Sequence, residues 1–185
     1  MIKKYTWLKA VALAGSVMIG GGAVYYYHHT QTQKQPIYEY EAARDKEDIK
    51  KLFENNWYWL ISSDDYSVDF MLDRHAPNQY NPRYFGKLQI QVMRVNNEFV
   101  GFVAYYMKNF YLGQLLFIAV KQDQRGKGYA KTLMNYALEQ MKEMGATKVR
   151  LVTRPSNLSA VAVYNKTGFT EVNRDDEFVY FEKRL

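Results

Sequence analysis

The sequence predicts an α/β (α+β) domain behind one N-terminal apolar segment, and three observations lead there. Residues 10–27 are apolar or small throughout and carry no formal charge, whereas a polar, Gln-rich stretch follows before the first alternating segment. Residues 115–120 form a continuous apolar run of strand length, broken at Lys121 and followed by a Gly/basic turn and a helix-periodic segment. From Ile37 onward, segments of period 2 and of period 3.6 succeed one another in the order β, α, α, β, β, β, α, β, α, β, β.

In chain order, residues 1–9 are a basic flank holding Lys3, Lys4 and Lys9. Eighteen helical residues from 10 to 27 would span about 27 Å, enough for the hydrocarbon core of a bilayer. Tyr25, Tyr26 and Tyr27 stand where an interfacial aromatic belt would lie. The first reading is a single-pass transmembrane anchor. A cleaved signal peptide with small residues near Ala23 competes with it, and Gly20, Gly21 and Gly22 weaken any helix there. Ala12, Ser16 and Gly20 form a small-residue face on which a second such helix, and so a homodimer, could pack. Residues 28–36 read as a linker, and 37–185 as one domain of ordinary single-core size.

Composition narrows the function. Of the net charge of +6, the three N-terminal lysines supply half, and the first 30 residues hold no acid. The domain itself is too mildly basic to argue for nucleic acid. No cysteine is present, which removes disulfides, thiolate metal sites and a cysteine nucleophile. No metal is expected.

Within the domain, Ile37 to Glu41 alternates like a strand, and Ile49, Leu52 and Phe53 take helical spacing after an acidic first turn. The aromatic cluster Trp57-Tyr58-Trp59 has no assignable structure. Residues 64–74 are expected to form a second helix, with Asp65, Asp69 and Asp73 at i, i+4 and i+8. Strands are expected over 88–95 and 99–107 around a tight Asn96-Asn97 connection, then over 111–120. Ala130, Leu133, Met134, Ala137, Leu138 and Met141 mark one face of a helix that Gly145 closes. Val149 and Leu151 face one way along a strand over 147–153. A short helix over 158–166 ends at Gly168, an extended segment follows over 169–172, and 178–181 reads as a last strand.

The turn Gln124-Arg125-Gly126-Lys127-Gly128-Tyr129-Ala130 delivers unpaired N–H groups and a positive helix end to one point, a natural seat for phosphate. It is not a Walker loop, since Gly128 stands where Ser or Thr must follow Gly-Lys. It is not the dinucleotide fingerprint either, because Lys131 replaces the closing Gly or Ala. Downstream, Asn157 and Tyr164 lie seven positions apart, nearly in line on a helix and roughly 10 Å apart along its axis.

Together, Arg125-x-x-Gly128-x-Ala130, then Asn157, then Tyr164 ahead of Gly168-Phe169 resemble the acyl-CoA-binding half of the GNAT superfamily of N-acetyltransferases. The resemblance is specific over 111–172 and rests on element order before that. It implies a mixed, mostly antiparallel central sheet flanked by helices, with acetyl-CoA as co-substrate. The implied reaction is acetyl transfer to a primary amine (a small molecule, a peptide N-terminus or a lysine) by direct attack on the thioester. The residues implied to hold coenzyme A are Ile118, Ala119 and Val120 on a splayed strand, Arg125, Gly126, Lys127, Gly128, Tyr129 and Ala130 around the pyrophosphate, and Asn157. Tyr164 is implied as the group that protonates or hydrogen-bonds the departing sulfur.

The base that relieves an ammonium acceptor of its proton has no assignment, because residues 111–120 carry no acid. Glu98, His75 and the carboxylates of 64–73 are candidates on chemical grounds alone. The missing acid also leaves room for a coenzyme-A-binding module without turnover, and the Trp57/Trp59 cluster for an extracytoplasmic interaction domain. The lysines ahead of the anchor predict the domain outside, whereas supply of acetyl-CoA predicts it in the cytoplasm.

Overall fold

The computed structural model describes residues 36–80 and 84–185. The segments read above as basic flank, anchor and most of the linker lie outside the described residues. Among those described, no helix is long and apolar enough to cross a membrane.

Among the described residues seven strands form one sheet. They are β1 (Ile37–Glu39), β2 (Phe85–Val95), β3 (Glu98–Met107), β4 (Leu112–Val120), β5 (Lys148–Thr153), β6 (Thr170–Arg174) and β7 (Val179–Arg184). Their spatial order is β1-β2-β3-β4-β5-β7-β6, and every neighbouring pair is antiparallel except β4 with β5. Four α-helices among the described residues flank the sheet: α1 (Ala42–Leu60), α2 (Val68–Arg74), α3 (Tyr129–Glu143) and α4 (Leu158–Lys166). The mixed, mostly antiparallel architecture is the one expected, and the order of elements matches.

β3 is buried from Phe99 to Met107 because helices cover both of its faces. On one side Ile49, Leu52 and Phe53 of α1 and Met71 and Leu72 of α2 pack on Leu88, Ile90, Phe102 and Phe117. On the other, the predicted α3 stripe (Leu133, Met134, Ala137, Leu138, Met141) packs on Val103, Tyr105 and Leu115. Gly113 permits that approach, since a Cβ there would run into the Met141 side chain. The β2–β3 turn uses Asn96 and Asn97 at φ 52° and 66°, the left-handed pair that a two-residue hairpin favours.

Three elements differ from expectation for local reasons. α1 runs through the aromatic cluster, bending at Asn56 (φ −135°, ψ 21°), whose Nδ2 donates to Leu52 O at 2.8 Å. α2 starts only at Val68, because the Ser67 hydroxyl caps it by accepting from Phe70 N–H at 3.1 Å. The supposed Asp65/Asp69/Asp73 stripe is therefore not one helix face. Asp69 and Asp73 pair with Lys46 of α1, and Asp69 also with Lys50, while Asp65 stands ahead of the helix. β7 extends to Arg184 because it pairs with β5 along the whole of that strand.

Asp45 fixes the start of α1 to the sheet. Its carboxylate is 0% exposed and accepts from Arg44, from Arg94 of β2 (2.8 Å) and from the N–H of Glu41 (3.0 Å). Burial alone would raise its pKa, but these donors outweigh burial and hold the carboxyl below its ordinary value. A depressed folded-state pKa means that ionised Asp45 adds stability above the unfolded value near pH 4, and that this is lost as pH falls through the folded value. Asp45→Asn should cost about 3 kcal/mol, read as a lower urea midpoint at unchanged slope. The gap between wild type and variant should narrow on acidification below about pH 4.

Candidate functional site

The site begins where the sheet comes apart. β4 and β5 pair only from Leu112–Lys148 to Gln114–Arg150. One residue later the register of β4 against β3 shifts, with Leu115 opposite Tyr105 and Phe117 opposite Ala104, so Leu116 is bulged. A bulge bends its strand and deepens the twist. Beyond it β4 and β5 diverge around a cleft of about 1060 Å³, lined by residues 115–120 on one side and 151–154 on the other.

The hydrogen-bond phase of β4 decides what the cleft sees. Lys121 N–H donates to Val100 O at 2.9 Å. In an antiparallel ladder, bonded pairs alternate, so Ala119 and Phe117 bond across to Phe102 and Ala104. The peptide groups of Ile118 and Val120 then point away from β3, into the opening. Arg125 Nε takes up Val120 O at 3.2 Å. The polar groups of Ile118 make no hydrogen bond among the described residues. All three of Ile118, Ala119 and Val120 line the cleft, but the peptide of Ala119 is committed to the sheet.

At the wide end lies the Gly/basic turn. Gly126 and Gly128 adopt φ of 80° and 84°, with nothing within 4 Å of either missing Cβ. They are there for conformation and not for packing. Gly128 caps α3, and the N–H groups from Gly126 to Lys131 make no hydrogen bond among the described residues; the first donor to return is Thr132, to Gly128 O at 3.1 Å. This is a nest of free donors at the positive end of a 15-residue helix. Arg125 braces it by donating to Asn56 Oδ1 at the bend of α1, at 2.7 Å. Gly126, Gly128, Tyr129 and Ala130 line the cleft together with Arg125, and so does Lys131. The Lys127 side chain does not; its Nζ donates to Gln124 Oε1 at 2.8 Å.

From the other side, α4 contributes Asn157 and Tyr164, both on the cleft wall. Asn157 caps its helix, with Oδ1 accepting from Ala160 N–H at 3.3 Å. Tyr164 is buried against Phe169 and Phe181, with ring centroids 6.2 and 5.6 Å away. Its hydroxyl has no hydrogen-bond partner among the described residues. Burial pushes its pKa up, so the phenol keeps its proton at neutral pH.

One wall of the cleft was not visible in the sequence. It is built from Trp59 to Ser63 at the end of α1, Asp65 and Tyr66 ahead of α2, and Pro77, Asn78 and Tyr80 after it. Tyr66 seats this wall on β4, its ring edge-on to Phe117 at 5.6 Å and its hydroxyl donating to Pro77 O at 2.8 Å. Arg154, at the end of β5, donates to Tyr58 O (2.9 Å) and Glu177 (3.0 Å) while its guanidinium sits on the Tyr58 and Phe178 rings. Of the acids and histidine considered as bases, Asp65 alone lines the cleft. His75 caps α2 with its ring against Tyr40, and Glu98 lies at the start of β3 in the hairpin. Among the described residues no group of three or more His, Asp or Glu could hold a metal ion.

Residues 46–169 match the profile of the Acetyltransferase (GNAT) family, and the chain belongs to that family. Among curated proteins it is 36% identical over 72 residues to N-acetyltransferase family 8 member 2 of Rattus norvegicus, a match covering 39% of this chain and 31% of that protein. Mycothiol acetyltransferase of Corynebacterium efficiens is 31% identical over 100 residues, covering 54% and 33%. The chain thus spans about a third of the length of these two relatives. Among solved structures, the fold is shared with Ard1 from Thermoplasma volcanium (TM-score 0.64, 22% identity, 80% of this chain and 96% of that one). It is shared equally with PaiA N-acetyltransferase from Thermoplasma acidophilum, solved in complex with coenzyme A (TM-score 0.65, 22% identity, 80% and 98%).

Proposed function

We propose that this domain transfers the acetyl group of acetyl-CoA to a primary amine by direct attack on the thioester. The observation that carries the reading is the continuity of the cleft. Free strand donors at the fork, a nest of free N–H groups at one end and an unpartnered phenol on the wall all open into the same space. Acetyl-CoA supplies an activated carbonyl carbon, a thiolate leaving group and a pyrophosphate.

The N–H groups of Gly126 to Lys131 can receive the pyrophosphate at the helix start, with Arg125 holding the turn in shape. The exposed peptides of Ile118 and Val120 offer strand-like pairing to an extended amide arm. A β4 N–H aimed at the thioester oxygen would stabilise the charge that develops there when the amine nitrogen bonds to carbon, an effect worth about 10²- to 10³-fold. As the C–S bond breaks, the Tyr164 hydroxyl can hydrogen-bond the departing thiolate, and the proton shed by the attacking nitrogen passes through solvent, which leaves amide and free thiol. The raised pKa of Tyr164 makes it a donor that stays protonated between turnovers. Asn157 borders the same arm. A second reading, a coenzyme-A-binding module without turnover, is favoured by the lack of any carboxylate on β4, Leu112–Val120.

Residues 10–27 are proposed to anchor the domain to a membrane, with the domain on the cytoplasmic side where acetyl-CoA is supplied. The support is their uncharged, apolar composition.

Three outcomes are expected. Acetyl-CoA at a hundred times its Kd should add about 2.7 kcal/mol and raise the unfolding temperature by several degrees. Gly128→Val, strained at a positive φ, should lose that shift. Tyr164→Phe should keep the cofactor affinity and lose about 10²-fold in turnover, followed as thiol release. Equal rates would remove Tyr164 from the mechanism, and thiol release by neither protein with any amine would leave the binding-module reading. A reporter fused after Leu185 should be active on the cytoplasmic side; activity only outside would reverse the localisation.

A further inference from the structure

The cleft wall carries Arg125 and Lys131 beside the nest and Lys166 of α4. Arg154 is already answered by Glu177 at 3.0 Å. Asp65 is the one carboxylate among the described lining residues, and the rings of Trp59, Tyr66 and Tyr80 line the same cleft. Asp69 and Asp73, the other members of the acidic run, are turned away and neutralised by Lys46 and Lys50. Among the described residues Asp65 has no cationic partner. It accepts from the Ser63 hydroxyl on one oxygen and from the Tyr80 hydroxyl on the other, at 3.0 Å.

We infer that Asp65 and the rings of Trp59, Tyr66 and Tyr80 form the acceptor subsite, and that it selects an organic cation: a protonated amine on an apolar or aromatic carbon body. The inference rests on the transfer reading above and specifies its second substrate. A carboxylate and exposed aromatic faces attract the same kind of ligand, the first by charge and the second through the ring quadrupole. Trp59 is 42% and Tyr80 65% exposed, an apolar expense at a cleft mouth that a cation with a carbon body would cover. Asp65 is suited to holding a charge and not to removing a proton. The hydroxyls of Ser63 and Tyr80 keep its carboxyl below the ordinary range, too weak a base for an aliphatic ammonium. It is a specificity residue. The ammonium that Asp65 gathers must first lose a proton to solvent, and the neutral nitrogen then presents its lone pair farther in, toward β4, where Tyr66 rests on Phe117.

The test uses the full chain and phenethyltrimethylammonium, a cation with no transferable N–H, followed by tryptophan fluorescence and calorimetry. Phenylpropanoate serves as its anionic counterpart. The cation should bind and the anion should not. Asp65→Asn should weaken the cation about tenfold or more, Asp65→Glu should restore most of that loss, and the acetyl-CoA thermal shift should be unchanged in both. In turnover, phenethylamine should be preferred over zwitterionic phenylalanine, and Asp65→Asn should erase the preference through KM with kcat little altered. Equal cation affinity in wild type and Asp65→Asn, or equal binding of the anion, would overturn the inference while leaving the transfer reading intact. Cation binding that needs Asp65, without thiol release from acetyl-CoA by any amine, would uphold the subsite and remove the transfer reading instead.

Discussion

Parallel pairing of β4 with β5 lasts three residues, from Leu112 to Gln114, and the cleft exists because it stops there. A continuous ladder would have consumed the peptide groups of Ile118 and Val120 and closed the space between the strands. The bulge at Leu116 diverts β4, while β5 is held on its other edge by β7 from Lys148 to Thr153. One strand leaves and the other cannot follow. The cost of leaving strand groups unpaired is moderated by solvent in the opening, and Arg125 takes up one carbonyl.

The remaining elements bring chemistry to that opening. α3 must begin at its edge for the free N–H groups to face it, and Gly128 in the left-handed region makes the turn from the Arg125 segment into the helix. α4 presses Tyr164 inward against Phe169 and Phe181, where burial keeps the phenol protonated and the hydroxyl free. α1 reaches over the top, and its bend at Asn56 is tied to the turn through Arg125. The bend therefore connects the wall of Trp59 to Ser63 to the nest. Asp45, buried and absent from the cleft lining, holds the other end of α1 on β2 through Arg94.

What was legible in the sequence was local. The α3 stripe, the Asn96-Asn97 turn and the Arg125-to-Gly128 turn ahead of α3 each occupy a short window, and short windows carry periodicity and spacing. The long-range features were not. Leu116 reads as one more apolar residue in an apolar run, so nothing marked it as the bulge. The Tyr58-Trp59 end of α1 lacked an apolar period because those side chains are exposed rather than buried in a core, Trp59 on the cleft wall and Tyr58 under the Arg154 guanidinium, and the helix was lost there. The Asp65/Asp69/Asp73 spacing suggested one face, but Ser67 caps α2 after Asp65, and Lys46 and Lys50, nearly twenty or more residues away in sequence, claim the other two acids. Lys127 belongs by sequence to the basic turn, yet its side chain folds back to Gln124.

The most direct measurement is amide hydrogen exchange with and without saturating acetyl-CoA. Free N–H groups exchange quickly, and a ligand that hydrogen-bonds them slows them. The expected result is slowing at residues 126–131 and at Ile118 or Val120, with little change at Ala119 and Phe117, which already bond across to β3. Slowing confined to other parts of the sheet, or none at saturation, would contradict a cofactor seated along the fork and the nest.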